Sequence, residues 1–380
     1  MKRILVLIFA AAMVLLCGCS AMMEKEYLSI TEYETGTAQQ DSGEIGVISS
    51  YSALMNTLEK MVQQHQSTVQ LQFNNYAGNI SDDLAEAGWQ LKQNSALGAY
   101  MVDYISYDIS RIVTYYQATV YINYARTAQD MADIRTIGAN RISNTVVDAV
   151  SAGEEKLVMQ VYTTMSDAND MAQRIENALI EAPQKVAVIP VIDVTVYPDR
   201  DSHDIFEVDF DYGEAQVPQM QVQLRSAIES AAERISRDEQ YSIAVLAAGL
   251  VGDLCTYEPG DLDGTAYDAL VLGAGGSRAV SMAYSAICAE KGLNVRVVSG
   301  LKNNEQHYWS LVKIGDSWYH ADISEAMNLS AEDVFLRTDS EMVRSFRWDE
   351  LAYPSCDGVS FIKQAENSAA QSEIKKVEEN

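Results

Sequence analysis

Residues 307–324 read HYWSLVKIGDSWYHADIS. Gly315-Asp316 is a tight-turn pair between two runs in which apolar and polar residues alternate, the pattern of a β-hairpin. Pairing the runs about that turn sets Trp309 opposite Asp322 and His307 opposite Ser324, all on one face. His307 and Asp322 become diagonal neighbours, roughly 7–8 Å apart at the backbone and within reach of a histidine–carboxylate hydrogen bond. A four-residue turn keeps this register; an odd-length turn breaks it. The hairpin therefore predicts an imidazole with a carboxylate to orient it, which is half of a nucleophilic site.

The other half is sought upstream in GAGGSRAVSMAYSAICAEKG, residues 273–292. A glycine-rich loop leads into a helical pattern, with Ser277 at the joint. A phosphate-binding loop fails as a reading: there is no GxxxxGK[ST], no third glycine at the dinucleotide spacing and no clear parallel strand leading in. A nucleophile at a helix N-terminus fits better, because free N–H groups and the helix dipole favour negative charge there. The bland alternative is that Ser277 is the helix N-cap, a position serine favours.

With these residues in view, the segment from about Ala266 to Thr338 resembles the transglutaminase-like domain, a relative of the papain-type thiol enzymes. Gly292, Arg296 and Gly300 in GLNVRVVSG, then His307-Tyr-Trp309, then Trp318-Tyr-His-Ala-Asp322, follow the family's pattern. FLRTDSEM, WDELAYPSC and the N-terminal LCGC resemble a bacterial lipoprotein group that carries this domain. The resemblance implies an α+β fold with Ser277, His307 and Asp322 at the catalytic positions. It also implies Trp309 and Trp318 as core or pocket wall, and neither metal nor organic cofactor. Counting back from Gly292, the family's cysteine position holds Ser277. A thiol near pKa 8.5 ionises readily beside an imidazole. A hydroxyl needs its proton removed in the same step that an oxyanion is held. The expectation is a degenerate domain, a pseudoenzyme that binds peptide, protein or cell-wall material. The alternative is an amide hydrolase or acyl transferase using Ser277, His307 and Asp322. Cys288 lies about 16 Å further along the helix and reads as core; Cys255 and Cys356 have no placement that reaches His307. His320 reads as a surface residue. Asp261/Asp263 and Asp199/Asp201 lack EF-hand spacing and read as turn formers.

Upstream, residues 47–213 use one unit twice, at about 50–137 and 139–213. VQLQF at 69–73, a Ser-Asp helix start and two strand-like runs reappear 88 residues on as LVMQV, Ser166-Asp167 and the pair VIDVTVYP and IFEVDFDY. The expected fold is α+β, a duplicated β-α-β-β region followed by the transglutaminase-like domain at 214–362 and a charged tail at 363–380. In IFEVDFDY the acidic residues alternate with Phe206, Val208 and Phe210 and are expected on a solvated face. Gln219–Ser236 is expected to form a helix with Leu224, Ile228 and Ile235 inward.

The N-terminus supplies the address. Lys2-Arg3, an apolar run to Leu16 and Leu-Cys-Gly-Cys19 read as an export signal ending in a lipobox, too short to span a membrane. Residues 1–18 are expected to be the signal peptide, Cys19 the lipidated residue carrying palmitate, and 19–46 a tether. The predicted location is the extracytoplasmic face of the cell membrane, held by lipid. With 54 acidic against 27 basic residues and a net charge of −27, nucleic acid is excluded as a partner.

Overall fold

The computed structural model describes residues 46–162, 167–201, 203–327 and 336–361. The chain divides into units Met1–Glu44 and Ile45–Asn380, and every described residue belongs to the second. The predicted signal peptide, Cys19, all but the last residue of the tether, and the charged tail lie outside the described residues.

The first module runs β1 (Gly46–Ile48), α1 (Tyr51–Gln63), β2 (Thr68–Phe73), α2 (Ile80–Asn94), α3 (Ala96–Met101), β3 (Val102–Ile112), β4 (Tyr115–Tyr124) and α4 (Ala128–Ala132). The second runs β5 (Arg135–Gly138), α5 (Ile142–Ala152), β6 (Lys156–Tyr162), α6 (Ala168–Ile180), β7 (Val191–Tyr197) and β8 (His203–Asp211). The starts of β2 and β6, of α2 and α6, and of β4 and β8 are each 88 residues apart. Both sheets have one plan, orders β1-β2-β4-β3 and β5-β6-β8-β7, with the outer short strand parallel and the rest antiparallel. Each contains the expected β-α-β-β core and adds a leading strand and helix. Alternation explains the layering: Val69, Leu71 and Phe73 on β2, and Ala118, Val120 and Ile122 on β4, are buried with Leu54 and Leu58 of α1 and Leu84 of α2. Asn79 caps α2 by accepting from the amides of Ser81 and Asp82, and Asp167, 88 residues on, caps α6 the same way.

The acidic face of β8 is not solvated along its length, contrary to expectation. Val158 and Ile205, on the helix-free face of the second sheet, join the core of the first module. Glu207 is buried there, 2.6 Å from both Arg126 and Lys156 and 2.8 Å from the Tyr197 hydroxyl. Burial pushes the Glu207 carboxyl up, and the Lys156, Tyr197 and Arg126 partners more than offset this, leaving it below the usual value.

The remainder comprises α7 (Val217–Glu233), α8 (Gln240–Leu254), β9 (Thr256–Tyr257), β10 (Ala274–Gly275), α9 (Ser277–Glu290), β11 (Val295–Lys302), β12 (Glu305–Ile314), β13 (Ser317–Ala321), α10 (Ile323–Ala326), β14 (Leu336–Arg337), α11 (Asp339–Met342) and β15 (Phe346–Arg347). Five antiparallel strands run β14-β13-β12-β11-β15. Every residue of α9 from Ser277 to Cys288 is buried, so this helix is central rather than amphipathic, lying between β12 and the helices α7 and α8. Gly292, at φ +80, ends it in the left-handed conformation, with its N–H bonded to the Ala289 carbonyl.

Candidate active site

The hairpin takes the predicted register: Ser310 pairs with Ala321, Leu311 with His320 and Ile314 with Ser317 around Gly315, whose φ is +60. One step beyond the paired residues the chain leaves the sheet, and Asp322 becomes the N-cap of α10. Its Oδ1 accepts from the Ser324 hydroxyl at 2.6 Å and from the amides of Ser324 and Glu325. Its Oδ2 faces His307 Nε2 at 3.0 Å.

Ser277 is the first residue of α9; the N-cap is Gly276, which makes no side-chain cap, so the N-cap reading of Ser277 is corrected. Its hydroxyl oxygen accepts from the amide of Tyr308 at 3.3 Å. Tyr308 is the neighbour of His307 on β12, so Ser277 meets that strand one residue from His307, while His307 itself contacts Asp322. They are 2%, 7% and 4% exposed, a closed site.

The glycines of the loop serve this closure. β9 and β10 pair in parallel, and a Cβ on Gly276 would lie 1.7 Å from the Asp261 carbonyl oxygen. Loop 258–264 therefore presses backbone to backbone on the helix start, which only glycine permits. Arg278, buried one residue after Ser277, donates to the carbonyls of Asp263 and Gly264 and clamps the loop. Asp261 and Asp199 accept from the amides of Asp263 and Asp201 as turn formers.

Lys302, which sequence reasoning missed, decides the electrostatics. Its ammonium donates to Asp322 Oδ2 and to Glu325, each at 2.8 Å. Burial raises the Asp322 carboxyl, but hydrogen bonding and charge from His307 and Lys302 outweigh that and hold it well below the usual carboxylate range. An ionised acceptor at Oδ2 puts the His307 proton on Nε2 and leaves Nδ1 as the basic nitrogen. Lys302 also shares the negative charge that would stabilise an imidazolium at His307. The missed signal was register: Lys302 closes β11 opposite Glu305, two residues from His307.

Trp309 and Trp318 form no open pocket wall. Trp309 is fully buried in a cluster with Val298, Phe346 and Cys356, against which Trp318 and Trp348 pack. Gly300 makes room, since a Cβ there would meet the Trp309 ring at 2.6 Å. His320, expected at the surface, is buried for the same reason. Its Nδ1 accepts from Trp309 Nε1–H at 2.9 Å, and its Nε2 lies 2.8 Å from Asp339 Oδ1. His320, Asp339 and Cys356 offer donor atoms within 4.8 Å of one another. They do not fit a metal, because the indole N–H commits the Nδ1 lone pair and so places the proton on Nε2, where a metal would bind. The same commitment leaves no base for the Cys356 thiol. Cys255, Cys288 and Cys356 are free and buried. Burial raises the Cys255 thiol to about 11 and Cys288 to about 12.

Residues 229–323 match the family model described as the transglutaminase-like superfamily. Among solved structures, a transglutaminase crystal structure is 11% identical, covering 72% of this chain and 78% of its own, with a TM-score of 0.25. A proposed protease from Parabacteroides distasonis ATCC 8503 is 5% identical, covering 71% of this chain and 44% of its own, with a TM-score of 0.21. No curated protein matches the chain. The matched residues run from α7 to the first residue of α10 and take in Ser277, His307 and Asp322: the chain carries a transglutaminase-like domain.

Proposed function

We propose that this chain is an extracytoplasmic lipoprotein, anchored to the cell membrane through lipid on Cys19, whose transglutaminase-like domain has lost the family's thiol chemistry and serves to bind peptide, protein or cell-wall material. The observation that carries it is Ser277. Where the resemblance places a cysteine there is a hydroxyl, 2% exposed and engaged by the Tyr308 amide. The basic-apolar start and Leu-Cys-Gly-Cys19 support the anchor. Among the described residues no helix is long and apolar enough to cross a membrane.

The test is labelling of the full chain with a serine-directed phosphonate beside titration with peptidoglycan fragments. Absence of label, with fragment binding unchanged in Ser277→Ala, supports the reading. Turnover of a peptide amide that vanishes in Ser277→Ala overturns it. The anchor is tested by the mass of the N-terminal peptide; an unmodified Cys19 in membrane fractions removes that part.

One observation favours a second reading, the 3.0 Å contact between His307 and Asp322. In an active hydrolase or acyl transferase, Ser277 Oγ would attack the amide carbonyl while its proton passes to His307. Amides at the start of α9 would hold the oxyanion, and His307 would return the proton to the leaving amine. Labelling abolished by His307→Ala decides for this reading.

A further inference from the structure

The two modules share a plan but treat equivalent faces differently. On the helix-free face of the second sheet, Val158 and Ile205 are buried against the first module and Glu207 is held by ion pairs. The equivalent positions 88 residues earlier are Gln70, Gln117 and Thr119. The β2–β4 register sets Gln70 beside Thr119 and Gln72 beside Gln117. On β3 and β4 the same face continues as Tyr104, Ser106 and Asp108 beside Asn123, Tyr121 and Thr119. Tyr104 is 53% exposed and Tyr121 38%, and the β3–β4 register makes them diagonal neighbours.

This surface is unusual for the chain that carries it. Charged residues make up 21% of the sequence and the net charge is −27, yet at the paired positions across β2, β4 and β3 this face carries one formal charge, Asp108, with Asp103 at the bulge next to Tyr104. The same face of the second sheet carries Lys156, Asp209 and Asp211 beside Glu207. With no Lys or Arg on the face, an anion has no partner and is repelled by the molecule as a whole. Amides and hydroxyls both donate and accept, which suits a ligand rimmed with hydroxyl groups. Tyrosine rings offer an apolar face to the C–H side of a sugar. With strands about 4.8 Å apart, a face three strands wide offers room for an extended chain rather than a compact ligand.

We infer that the helix-free face of the first sheet, centred on Gln70, Gln117, Thr119, Tyr104 and Tyr121, binds an uncharged polysaccharide of pyranose units. This site is separate from Ser277 and goes beyond the reading of the transglutaminase-like domain. The test is calorimetric titration of the full chain with cellohexaose and chitohexaose. Saturable binding of either is expected, weakened about tenfold by Tyr104→Ala and by Tyr121→Ala. Tyr121→Phe, which keeps the ring, is expected to retain most of the affinity, and Ser277→Ala all of it. Matching melting temperatures of the variants and the parent separate lost binding from lost folding. The inference falls if neither hexasaccharide binds or if the alanine variants bind as the parent does. It falls also if sedimentation shows the parent self-associating and the tyrosine variants monomeric, which would make this face a contact between copies.

Discussion

Lys302 Nζ lies 2.8 Å from Asp322 Oδ2, the same carboxylate oxygen that faces His307. Asp322 thus holds together a strand end, an imidazole and a helix cap, and it does so as an anion. Replacing it with Asn leaves the Lys302 ammonium half-buried without that counter-ion. We expect Asp322→Asn to cost about 3–5 kcal/mol at pH 7, read from urea midpoints. The folded-state pKa lies below the unfolded value, so the contribution is complete above the unfolded value of about 4 and is lost as pH falls through the folded one. The difference between parent and Asp322→Asn must therefore shrink below pH 4; a constant difference would refute the assignment.

His320 adds a second acid sensitivity at a higher pH. Burial lowers its pKa from 6.5 and outweighs the opposing pull of Asp339. The unfolded chain then binds a proton that the folded one refuses, so stability is full above pH 6.5 and declines as pH falls below it. Chemical denaturation at pH 7.5 and 5.5 measures this. In His320→Gln the decline over that interval should be smaller than in the parent.

Two glycine variants should shift stability in opposite directions. A Cβ on Gly276 would collide with the Asp261 carbonyl, so Gly276→Ala is expected to lower stability by about 3 kcal/mol or more. Gly249 is exposed in the middle of α8, and a Cβ there meets nothing within 4 Å. Gly249→Ala should raise stability by about 0.5–1 kcal/mol. Thermal melts of both variants are sufficient to check this.

The thiols at positions 255, 288 and 356 should be inert in the folded chain. All are buried, and burial raises each thiol. Ellman's reagent at pH 8 should modify none of the three before denaturant is added and all three afterwards. Added Co2+ should give no thiolate-to-metal absorption, because His320 has no lone pair to offer beside Cys356. Rapid modification of the folded protein or a cobalt–thiolate band would overturn this.

The sequence by itself determined what depends on short-range order. A Gly-Asp turn flanked by alternating residues specifies which side chains share a face, and so the approach of His307 to Asp322 was legible before any coordinates. The 88-residue spacing was legible because each unit repeats its own strand alternation and helix start. Only the tertiary structure decided what surrounds those groups. Strand register sets Lys302 near His307, but only the fold shows that its ammonium reaches Asp322, and nothing in IFEVDFDY shows that Glu207 faces another module rather than water. His320 alternates with Tyr319 as a surface residue would, until Trp309 and Trp348 close over it. Ser277 sits one residue past the cap because loop 258–264 needs the bare Gly276 backbone. Alternation and turns are properties of neighbours in the chain, whereas burial, ion pairing and protonation depend on segments that meet only when the sheet and helices pack.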